Sequence, residues 1–207
     1  MARPRTTSDE QIFTATGEAL RRHGLSGTTL AAVAREAGMS SAGLVQRFGS
    51  KRALLLAFAE RAADATGACF AQARQRTDCA LEALHEGLAA LTEGLDSPAQ
   101  LANSLGFLQL DVADEEFRRH AAANARRVES ELEALLGEAV DARELDDGAE
   151  PQRLAHSVYV AYNGALVLWP LLGQAPLRDE LRAAVDAVLL PHRPARPTRA
   201  LPKEANA

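Results

Sequence analysis

Apolar residues recur at three- and four-residue intervals along most of the chain, and that period constrains the fold more than any other feature. Leu81, Leu84, Leu88 and Leu91 form the plainest stripe, the signature of one helical face turned toward a core. Ile12, Ala15, Ala19 and Leu20 share a face near the N-terminus, with Phe13 beside it. Phe117, Ala121, Asn124, Val128, Leu132, Leu135 and Ala139 do so in the middle, and Leu181, Ala184, Val185, Val188 and Leu189 toward the end. Alanine and leucine, both good helix formers, dominate. Runs of Val, Ile, Thr or aromatic residues are few, so strands have little support. The expectation is an all-α protein of about nine helices, and 207 residues suffice for one or two domains with a real core.

Capping signals set the boundaries. Thr7 and Glu10 are spaced as a capping box, and so are Ser8 and Gln11. A first helix should run from about Asp9 to His23, with Gly24 at its C-terminal cap. Thr28 and Thr29 open a second helix through about Ala37, and Gly38-Met39 makes a turn. Ser40 caps a third helix from Ser41 to Phe48, Gly49-Ser50 breaks it, and Lys51 begins a long fourth helix. Ser97-Pro98 with Gln100 is a further start signal. Later helices are expected at about 114–143, 151–168 and 177–190, with Pro170 to Pro176 ending the penultimate one. The helix at 151–168 is apolar on more than one face and needs partners on several sides. Residues 191–207 hold Pro191, Pro194, Pro197 and Pro202 without periodicity and read as a disordered tail.

The net charge is −5, which argues against a protein that coats nucleic acid. Its distribution is uneven. Residues 1–52 carry eight basic and four acidic residues, a net +4, which leaves −9 on the remainder. A basic head on an acidic body suits a module that faces phosphate. No apolar run reaches the ~18–20 residues of a membrane span, and no apolar stretch follows the basic N-terminus as in a signal peptide. The expected location is the cytoplasm. Cys69 and Cys79, the only cysteines, are too few for a disulfide framework; they read as two semi-buried thiols, or alternatively as a redox pair.

The informative stretch is Thr28 to Phe58, TTLAAVAREAGMSSAGLVQRFGSKRALLLAF. Two short helices flank a glycine-containing turn, and the second is amphipathic with polar residues at its start. That is the sequence form of a helix-turn-helix. A major groove about 12 Å wide admits one helix, and the preceding helix braces across the backbone. Backbone N–H groups at helix starts can meet phosphates.

Gly-x-x-x-Thr-Thr, then Ala-x-x-Ala-Gly-x-Ser, then Leu-x-x-x-Phe, then Ser-Lys-x-x-Leu-Leu closely resembles the TetR family of transcriptional regulators over about residues 9–60. The resemblance implies a helix-turn-helix domain at 6–66 (motif 29–48), a helical regulatory and dimerisation domain at 67–190, and the tail. It implies that Thr28 and Thr29 meet phosphate at the start of the bracing helix. Ser40, Ser41, Ala42, Gly43, Gln46 and Arg47 face DNA from the recognition helix. Lys51 holds a phosphate, while Leu44 and Phe48 plug the core. The family usually has threonine at the position of Gly43 and tyrosine at that of Val45, which leaves Gln46 and Arg47 as the main long readers.

A regulator needs an input, and the resemblance implies a small-molecule effector. Polar groups on otherwise apolar faces are its candidate contacts: His85, His120, Asn124, His156, Tyr159, Tyr162 and Asn163. No pair of these histidines has the i, i+4 spacing of a helical metal motif, and no metal or cofactor is expected. Residues 151–190 fit an isologous homodimer interface. The expected function is that of a ligand-responsive repressor binding a palindromic double-stranded DNA operator as a homodimer, without a membrane. No nucleophile elbow, phosphate loop or acid/base pair supports an enzyme. The alternative is a helical interaction protein whose helix-turn-helix no longer binds DNA.

Overall fold

The structure is a computed structural model that describes residues 7–173 and 175–194. These residues form eleven α-helical segments and no strand. They are α1 Asp9–Gly27, α2 Leu30–Glu36, α3 Ser41–Phe48, α4 Lys51–Glu60, α5 Ala62–Arg76, α6 Ala80–Ala90, α7 Pro98–Leu105, α8 Leu108–Ala113, α9 Glu115–Asp141, α10 Pro151–Leu172 and α11 Leu177–Leu189. A 3₁₀ turn follows at Leu190–His192. Arg61 between α4 and α5 keeps helical dihedrals, as do Gly106 and Phe107 between α7 and α8. Counted as rods, the helices therefore number nine.

Side-chain caps place the starts where the sequence puts them. Of the two candidate boxes, Ser8 and Gln11 form the real one, each side chain bonding the other's backbone N–H. Thr29, Ser40, Ser50 and Ser97 each accept from a backbone N–H three residues on, which satisfies donors that a helix start leaves orphaned. Gly24 has φ +65°, so α1 kinks there and one further turn carries it to Gly27. Gly38, at φ +64°, makes the turn between α2 and α3 at little steric cost.

Three buried clusters hold the molecule together. Ile12, Ala15, Ala19, Val33, Ala34, Leu44 and Leu54 close the N-terminal domain around α1 to α4. A larger cluster joins α5, α6, α9, α10 and α11, with Phe70, Leu84, Leu132 and Leu136 fully buried at its centre. Between them, Leu20, Leu55, Ala59 and Phe117 form a junction core.

Besides the end of α1, which passes the expected cap at Gly24, two boundaries differ from expectation. The penultimate helix runs through Pro170 to Leu172 rather than ending near 168. Proline removes one N–H and crowds one carbonyl, and here that falls in the final turn, where little ladder remains. Of the expected tail, residues 191 and 192 belong to the 3₁₀ turn, where the Asp146 N–H donates to the His192 carbonyl at 2.8 Å. The tail from 195 onward, and the arm at 1–6, lie outside the described residues.

Candidate nucleic-acid interface and ligand cleft

The third helix is anchored from one side and open on the other. Leu44 is fully buried in the N-terminal core, and Phe48 meets Phe13 edge-on at 6.0 Å between ring centres. With these two inward, α3 exposes Ser41, Ala42, Val45, Gln46 and Arg47 to solvent, with Gly43 half-buried. Ser40 caps the helix by accepting from the Gly43 N–H at 3.1 Å. Thr29 is exposed and caps α2 through the Ala32 N–H.

Thr28 sits differently. It is buried, and its hydroxyl donates to the Gly24 carbonyl at 2.7 Å. Its side chain locks the end of α1 and offers nothing to a phosphate. Arg47 is held as well: its Nε lies 2.7 Å from Asp9 Oδ1, and its Nη1 donates to the Thr7 carbonyl. Lys51, half-buried, donates to the Leu25 carbonyl. Gln46 is the long polar side chain on the exposed face that has no intramolecular bond among the described residues. Arg52 spans the two domains, pairing with Asp114 at 2.9 Å and Glu116 at 2.6 Å and lying over the Phe117 ring. Asn103 on α7 makes a second link, its Nδ2 donating to the Arg21 carbonyl at 2.9 Å.

Behind this domain lies an open cleft of about 550 Å³. Its walls include Phe13, Gly17 and Arg21 of α1, Phe58 of α4, Thr66 and Cys69 of α5, Leu91, and Val128 of α9. Of the seven ligand candidates, Asn124, Tyr159 and Tyr162 line it. Tyr162 is buried, which raises its pKa, and its hydroxyl donates to the Leu88 carbonyl. The other four are elsewhere. His85 is buried between α6 and α11 with Nε2 3.1 Å from Asp186; desolvation, aided by the Arg182 charge, lowers its pKa. The void beside it, about 20 Å³, holds a water at most. His156 is on the surface against Glu129, Asn163 is exposed, and His120 is half-buried on α9. Sequence reasoning missed the contributions of α1 and α4. Phe13, Gly17 and Phe58 look like ordinary amphipathic positions, and only the packing of two domains gives them a shared surface.

Among the described residues no group of three His, Cys, Asp or Glu side chains is placed to hold a metal ion, and no helix is long and apolar enough to cross a membrane. Cys69 is half-buried and Cys79 exposed; both are free thiols, and burial raises the pKa of each.

Residues 12–67 match the model of the bacterial regulatory proteins, tetR family. The chain carries a tetR-family domain. Solved structures share the fold over most of the chain. A putative TetR-family transcriptional regulator from Rhodococcus sp. superposes with a TM-score of 0.64 at 23% identity, covering 87% of this chain and 97% of that one. A TetR transcription regulator from Haloarcula marismortui does so at 0.70 and 20%, covering 90% and 98%. The transcriptional regulator FadR from Bacillus subtilis, solved in complex with stearoyl-CoA, does so at 0.65 and 15%, covering 88% and 98%. A search of curated protein sequences finds no match. The fold, with its N-terminal helix-turn-helix, is that of a TetR-family transcriptional regulator.

Proposed function

We propose that this chain is a ligand-responsive transcriptional repressor that binds a palindromic operator as a homodimer, in the cytoplasm and without enzymatic activity. The observation that carries the reading is the third helix, fixed inward by Leu44 and Phe48 and open to solvent along Ser41, Ala42, Gln46 and Arg47. Its surroundings also suit the role. Thr29, Ser40 and Lys51 lie at the starts of three successive helices, where side chains and N–H groups can meet a phosphate backbone.

The homodimer reading rests on α10 and α11. Val160, Val167, Leu168, Leu171 and Leu172 are exposed on α10, and a groove of about 460 Å³ floored by Gly164, Ala165 and Ala184 runs between the two helices. An exposed apolar face of that kind marks an association surface, and a second copy would bring a second recognition helix to the other half-site. FadR's complex with stearoyl-CoA supports a small-molecule input. One observation favours the second reading, a helix-turn-helix retired from DNA binding: Arg47 and Lys51 are both bonded within the chain.

Gel-shift and light-scattering measurements on one sample separate the two. Arg47→Ala with Lys51→Ala should abolish the operator shift while the mass stays at twice that of the chain. Unchanged affinity contradicts the assignment of these residues, and a stable monomer contradicts the dimer.

A further inference from the structure

We propose that Val45, with Ala42 beside it, reads the C5 methyl groups of thymine, so that the centre of each operator half-site consists of A·T pairs. This rests on the DNA-binding reading above and names the bases that the third helix selects.

The open face of α3 is short of hydrogen-bonding groups. The helix carries no carboxylate and one cation, Arg47 in its last turn, which is tied to Asp9 and to the Thr7 carbonyl. Ser40 is engaged as the cap. Toward the middle stand Ala42, Val45 and Gln46, at the three- and four-residue spacing that puts side chains on one helical face. Gly43 adds no side chain among them; a Cβ there would crowd Ser40 Oγ at 3.2 Å and Met39 Cε at 3.3 Å. Val45 is 45% exposed, and it is the one large apolar side chain left exposed among the described residues of the N-terminal domain. Leu30, Met39 and Phe48, by contrast, all pack against the core. A valine at a solvent-facing helical position has no local advantage, since β-branching makes it a poorer helix former than alanine.

Groove chemistry fixes the partner. An A·T pair turns one apolar group to the major groove, the thymine methyl, and a G·C pair turns none. Facing a thymine, Val45 and Ala42 remove that methyl and their own from water. Facing a cytosine, the same side chains would cover the N4 amino group and supply no acceptor, which leaves a donor unsatisfied. Aspartate or glutamate is the usual partner of that amino group, and α3 has neither. Gln46, next to Val45 and without an intramolecular bond among the described residues, suits adenine N6 and N7. Valine and glutamine side by side thus match the two halves of A·T pairs.

The inverted repeat selected from random double-stranded DNA is made twice, with thymine and with uracil at every A·T pair of its half-sites. The two duplexes keep the same hydrogen-bonding groups in the groove and differ in the C5 methyl alone. Fluorescence anisotropy with the purified full-length chain should show the uracil duplex bound about tenfold more weakly, as expected for one methyl buried in each of two half-sites. Val45→Ala should lose a similar factor on the thymine duplex and bring the thymine-to-uracil ratio down to about threefold or less. Gln46→Ala should weaken both duplexes alike and keep the ratio. Equal affinity of the unaltered protein for the two duplexes overturns the proposal and leaves the DNA-binding reading standing. So does a ratio that Val45→Ala does not reduce, or a selected half-site without A·T pairs. If Val45→Ala loses its helical circular dichroism, the comparison of the two duplexes with the unaltered protein decides alone. A selection that enriches no sequence overturns this proposal and the DNA-binding reading together.

Discussion

Arg47 Nε on the recognition helix lies 2.7 Å from the Asp9 carboxylate in the first turn of α1. The side chain best suited to read a guanine is thus tied back to its own domain. The tie is weak. Asp9 is more than half exposed, and such pairs contribute about 0–1 kcal/mol, against about 1–3 kcal/mol for a bidentate contact with the correct base. Arg47 can therefore leave Asp9 for DNA. Asp9→Asn should tighten operator binding several-fold, and Arg47→Ala should weaken it by about 1–3 kcal/mol, both read by fluorescence anisotropy at one fixed salt concentration. If Arg47→Ala leaves the affinity unchanged, base reading falls to Gln46.

How much of this was legible in the sequence differs by region. The caps at Ser8, Thr29, Ser40 and Ser97 depend on neighbours within four residues, so a linear reading finds them. The inward turn of Leu44 is what the family resemblance implies, and the structure buries it fully. Thr28 was misplaced although its partner is just as near: the sequence reading ends α1 at His23, whereas the helix runs on to Gly27 and the Thr28 hydroxyl closes it on the Gly24 carbonyl. The ligand candidates were chosen as polar residues on apolar faces, a rule that cannot tell which faces meet. His85 met Asp186 of α11, while Asn124 met Thr66 and an open cleft. The walls given by Phe13 and Phe58 needed the packing of one domain on the other.

The domain junction carries an ion cluster that should respond to salt. Arg52 pairs with Asp114 and Glu116 and covers Phe117. Arg52 is about half exposed, so its loss should lower stability only slightly. Arg52→Ala is expected to reduce the melting temperature by a few degrees in dilute buffer. The gap should narrow in 1 M NaCl, where screening acts within about 3 Å. A gap that does not change with salt would assign the effect to lost cover over Phe117.

Gly87 lets α6 lie against the Phe70 ring, where an added Cβ would stand 2.4 Å from Cδ1. Phe70 is fully buried, so the ring has little room to yield. Alanine gains about 0.5–1 kcal/mol of helix preference and loses about 1–3 kcal/mol to overpacking. Gly87→Ala should therefore be destabilising in urea unfolding, and Gly87→Val more so. A stabilised alanine variant would show that the α5–α6 contact is looser than described.

Asp111 on α8 is half-buried without a cation, and burial raises its pKa to about 6. Its ionised form is disfavoured in the folded state. Below the ordinary carboxylate pKa the group is protonated in both states and costs nothing. As pH rises from about 4 to about 6 the folded state loses stability relative to the unfolded chain, and above that the loss is complete. Asp111→Asn should raise the melting temperature at pH 7.5 and leave it nearly unchanged at pH 4. An equal effect at both values would separate the gain from ionisation.

Selection of bound sequences from random double-stranded DNA decides whether the exposed face of α3 reads a sequence. One inverted repeat should be enriched, its half-sites about one or more helical turns apart, and Gln46→Ala combined with Arg47→Ala should abolish that enrichment. Recovery of no enriched sequence from a folded, dimeric sample would contradict the regulator reading.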